Sequence, residues 1–151
     1  MCMIGPVMAG ARTLHQTTAP LFGEYEGGAV VAFRCFKVGW RWNLGGHRLE
    51  SVHAGFVYET NPEESSPPSR GWLRGFWAWR REEAARAYFR DTAGAEAILA
   101  RVELYGEVIE HERGYRGQYQ RIVAFLGRGV EVPANILAEL ASFYDVREVT
   151  P

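Results

Sequence analysis

The chain has 151 residues, 47% of them hydrophobic and 23% charged, with a formal net charge of −1. That length suits one domain with a real core, and the composition excludes a disordered chain or a fibre. The near-neutral balance excludes a global basic field, so nucleic acid is a disfavoured partner unless a local patch recruits it.

Cys2 and Cys35 are the only cysteines, too few for a disulfide scaffold and without CxxC spacing, so a reducing, cytoplasmic location is expected. The start MCMIGPVMAGARTLHQ lacks both a basic region ahead of an apolar run and a run of about 18 apolar residues, so neither a leader nor a membrane span is expected. Residues 1–28 carry scattered Gly, Pro and Thr, end in GEYEGG and show no clean period. They read as an N-terminal arm, with residues 29–151 forming a single α+β domain.

The run AVVAFRCFKVGWRW, residues 29–42, is β-branched and aromatic and alternates in part, which predicts a long strand. NLGGHR supplies a Gly-Gly turn, after which RLESVHAGFVY, residues 48–58, returns antiparallel. ETNPEESSPPSRG, rich in proline, serine and acids, is an exposed loop. GWLRGFWAW, residues 71–79, gives an aromatic strand, and RREEAARAYFRDT changes to strong helix formers with Ala84, Ala85, Tyr88 and Phe89 at helical spacing. Gly94 suits the exit of that helix.

The stretch VELYGEVIEHERGYRGQYQRIVAFL, residues 102–126, reads as a β-hairpin. With a three-residue turn closed by a left-handed glycine, Glu112, Arg113 and Gly114 form the loop and His111 pairs with Tyr115. Glu110 then faces Arg116, an opposite-charge pair worth about 0.2 to 1 kcal/mol. Gly106 interrupts the first strand and suits a bulge. In VPANILAELASFYDV, Pro133 opens a second helix with Ile136, Leu137, Leu140, Phe143 and Tyr144 in one apolar stripe. The element order does not alternate βαβα, so the expected fold is α+β: a mainly antiparallel sheet of hairpins with about two helices packed on one face.

Three constellations could carry chemistry. Glu110, His111, Tyr115 and Arg116 bring together an imidazole, two charges and a phenol, the materials of an acid/base or anion-binding site. Neighbours in a strand point to opposite faces, so Glu110 and His111 address one substrate only if the turn twists them together. Cys35, His47, His53 and His111 are donors that zinc favours, but none stands in a CxxC, HxxxH or HExxH arrangement, so no metal and no cofactor is expected. LGG at 44–46 lacks the lysine and the following helix of a phosphate loop, and no GxSxG elbow exists, so no catalytic residue is assigned.

The tryptophans offer more. Alternation puts Trp40 and Trp42 on one face and Trp77 and Trp79 on one face, with Arg41, Arg74, Arg80 and Arg81 interleaved. Large aromatics ordinarily fill small cores. Left exposed beside arginines, they suit a protein interface or stacking on single-stranded nucleic acid.

FWAW, EEAARAYF, GEVIEHERGYRGQY and the closing LAELASFYDV together resemble a group of small bacterial and mobile-element proteins with a "GxYA … EEAL … VxLWGxVIEHExGYRAEYA … LAxxYGV" pattern. The likeness spans residues 72–147, and its most specific part rests on Gly106, Val108, Glu110, His111, Glu112, Gly114, Tyr115, Arg116 and Tyr119. It implies a shared hairpin architecture and no particular reaction. Members often carry CxCG before the aromatic strand, where this chain has WLRG.

These readings converge on a non-enzymatic, macromolecule-binding protein, regulatory or inhibitory, of phage or mobile-element origin. Its partner is expected to be a protein, with no membrane and with homo-oligomerisation compatible. The binding residues are Glu110, His111, Tyr115, Arg116, Trp40, Trp42, Trp77, Trp79 and Arg80. The alternatives are a small-ligand binder or enzyme using Glu110, His111, Tyr115 and Arg116, and a single-stranded nucleic-acid binder using the Trp/Arg segments.

Overall fold

The computed structural model describes residues 12–16, 29–40, 45–51, 57–58 and 75–151. These contain one eight-stranded sheet. Its strands are β1 Arg12–Gln16, β2 Val30–Trp40, β3 His47–Ser51, β4 Val57–Tyr58, β5 Phe76–Trp79, β6 Ala97–His111, β7 Gly114–Arg128 and β8 Glu148–Val149. The helices are α1, Glu82–Tyr88, prolonged by a π turn over Phe89–Ala93, and α2, Ala134–Phe143. Every ladder is antiparallel except β7–β8. The fold is therefore α+β with a mainly antiparallel sheet, as the strand and helix patterns predict.

The β6–β7 hairpin is its spine. Gly106 sits at φ 77°, and the register slips between Tyr105 and Val108. The positive φ belongs to glycine because a Cβ there would meet Tyr119 Cδ2 at 2.7 Å and the left-handed region is costly for other residues. The bulge divides β6 into two working halves. Before it, residues 97–104 pair with β2, while beyond it residues 107–110 pair with β1. Arg12–Gln16, inside the stretch read as an arm, thus adds a strand to the sheet.

The ladders also close on themselves. β6 pairs with β2 and β7, β7 pairs with β5, and β5 returns to β2 through Phe33 opposite Trp79. Alternation along β2 then separates two apolar layers. Ala32 and Phe36 join Phe76, Ala78, Val102, Leu104, Val108 and Ile122 in the main core, against which α2 sets Leu137 and Leu140. Phe33 and Cys35 face the other way, into a smaller cluster with Trp77, Trp79 and Leu99 that Ala85 of α1 covers. The helices therefore lie on opposite faces, where one face was expected. The reason is that β5, buried at all four positions, presents an apolar row on each side.

The segment RLESVHAGFVY differs from expectation too. It forms two strands, β3 and β4, paired with one another as Leu49 with Tyr58 and Glu50 with Val57. Its middle and the loop of residues 59–71 lie outside the described residues. One polar pair is embedded in the interior: Arg34, 3% exposed, donates from Nη1 to Oε1 of the fully buried Gln120 at 3.2 Å.

Candidate functional site

The hairpin end follows a register one residue from the expected one. Glu112 and Arg113 alone make the turn, and His111 pairs with Gly114. Gly114 stays within β7 and outside the positive-φ glycines, so no left-handed residue lengthens the loop. Arg80 N–H donates to the Arg113 carbonyl at 3.0 Å, fastening the shorter turn to the end of β5. The shift exchanges partners: Glu110 stands across from Tyr115, and Arg116 across from Ile109 and Trp77.

The expected Glu110–Arg116 pairing is thus replaced by another. Arg80 Nη2 lies 2.7 Å from Glu110 Oε1, with the side chains 35% and 17% exposed. Its guanidinium carbon also lies 5.6 Å from the Tyr115 ring centroid. Arg12 is the Cα partner of Glu110 on the β1 side. Tyr115 packs against the main core, which puts Arg80, Glu110 and Tyr115 at its rim.

Arg116 occupies the opposite face. None of its surface is exposed, and its guanidinium carbon lies 5.1 Å from the Trp77 ring centroid. Burial lowers its pKa, because leaving water disfavours the charged form. The four hairpin residues therefore do not converge: Glu110 and Tyr115 share one face and Arg116 has the other, while the side chain of His111 lies outside the described residues.

Trp77 and Trp79 are each 8% exposed and belong to the cluster beneath α1, with Trp79 stacked obliquely 6.1 Å from Tyr88. Trp42 lies outside the described residues. Cys35 is buried, its thiol donating to Ala85 O at 3.6 Å. Among the described residues no three His, Cys, Asp or Glu side chains gather as a metal site would require. His53 lies outside them.

Trp40 is different. It is 45% exposed at the end of β2, opposite His47 on β3. The two rings meet edge to face, 4.8 Å apart at 89°. His47 is held in turn by α2: Glu139 Oε2 accepts the His47 backbone N–H at 2.7 Å and lies 3.0 Å from Nδ1. An ionised carboxylate only accepts, so Nδ1 is the donor in this contact. One turn further on, the Tyr144 hydroxyl accepts from Leu49 N–H at 2.9 Å, pinning the same strand.

Among the described residues the Trp40 indole N–H and His47 Nε2 have no hydrogen-bond partner. Glu139 was missed in the sequence, though a signal exists: it is the lone charged residue of ANILAELASF.

The class defined so far is an antiparallel α+β domain with an exposed, buttressed indole and no assembled catalytic group among the described residues. No family model, curated protein or solved structure matches the chain. Among the described residues no helix is long and apolar enough to cross a membrane.

Proposed function

We propose that this chain is a binding protein whose partner is another protein, docked on the surface around Trp40. The supporting observation is the combination of exposure and restraint at that residue. Trp40 is 45% exposed, yet its ring is braced by the imidazole of His47, which Glu139 of α2 engages at the backbone N–H and at Nδ1. Tryptophan is the residue most enriched among energetic anchors of interfaces, and an anchor already fixed in place loses little conformational freedom on docking. The burial of Trp77 and Trp79 weakens the nucleic-acid reading, which needed four stacking rings. The separation of Glu110 and Tyr115 from Arg116 weakens the single-pocket reading of the hairpin.

The test is affinity capture from the native host's lysate with the wild-type chain and Trp40→Ala as parallel baits, with circular dichroism verifying that both fold. A protein held by the wild type and lost by the variant is expected. Identical captures from both baits would overturn the proposal.

A further inference from the structure

We draw no further inference here: the strongest candidate, the exposed surface patch around Trp40 at the end of β2, belongs to the docking site already proposed, and nothing in the structure shows the chemistry of what covers it.

Discussion

Arg116 lies directly across the β5–β7 ladder from Trp77 and holds its guanidinium carbon 5.1 Å from the indole centroid, with none of its surface exposed. Burying this cation, whose pKa is lowered by desolvation, carries an electrostatic cost. Arg116→Ala, which opens a cavity against Trp77, is expected to lose about 2 to 4 kcal/mol in urea denaturation. Arg116→Met keeps the volume and removes the buried charge, and should stay within about 1.5 kcal/mol of the wild type. Equal losses in the two variants would mean that the charge, rather than the volume, is what matters.

The register of the hairpin makes a second expectation specific. Glu110 pairs with Arg80 across 2.7 Å, whereas Arg116 faces Ile109. A double-mutant cycle of Glu110→Gln with Arg80→Met should give a coupling of about 0.5 to 1 kcal/mol, while the same cycle with Arg116→Met should give about zero. The three-residue turn requires the reverse ranking.

Gly106 supplies a third. At φ 77°, with a Cβ position 2.7 Å from Tyr119 and 2.8 Å from the Gln118 side-chain oxygen, alanine meets both strain and collision. Gly106→Ala should cost about 2 kcal/mol or more in thermal or chemical unfolding. Because the bulge hands β6 from β2 to β1, amide exchange should rise first over residues 107–110.

The tryptophans separate by burial. Trp77→Ala and Trp79→Ala each remove a ring from the cluster under α1 and should cost about 3 to 5 kcal/mol, while Trp40→Ala should cost under about 1 kcal/mol. A fall in acrylamide quenching in Trp40→Phe, with none in Trp77→Ala or Trp79→Ala, would separate Trp40 from the two buried rings independently.

Long strands, the amphipathic helices and the bulge were legible because each rests on local rules: β-branched alternation in β2, apolar spacing in α2, a lone glycine inside β6. The turn was misread because a glycine after a charged pair serves equally as a left-handed loop residue or as the first residue of a strand. Here the contacts of Arg80 with the Arg113 carbonyl in the turn and of Trp77 with β7, distant in sequence, decide between them. Alternation correctly put Trp77 and Trp79 on one face, but whether α1 or solvent covered that face was a tertiary matter. The His47–Glu139 contact joins residues 92 positions apart, beyond the reach of any periodicity.

Closure of β5 onto β2 through Phe33 and Trp79 also bears on how the chain acquires its shape. The β6–β7 ribbon, with its two-residue reversal, can zip from neighbouring segments within microseconds, whereas the joins of β2 to β6 and to β5 must wait for a long stretch of chain to be brought round. Folding should therefore be limited by the late docking of β2, and a nascent chain still short of it would offer both unsealed flanks of that strand to chaperones.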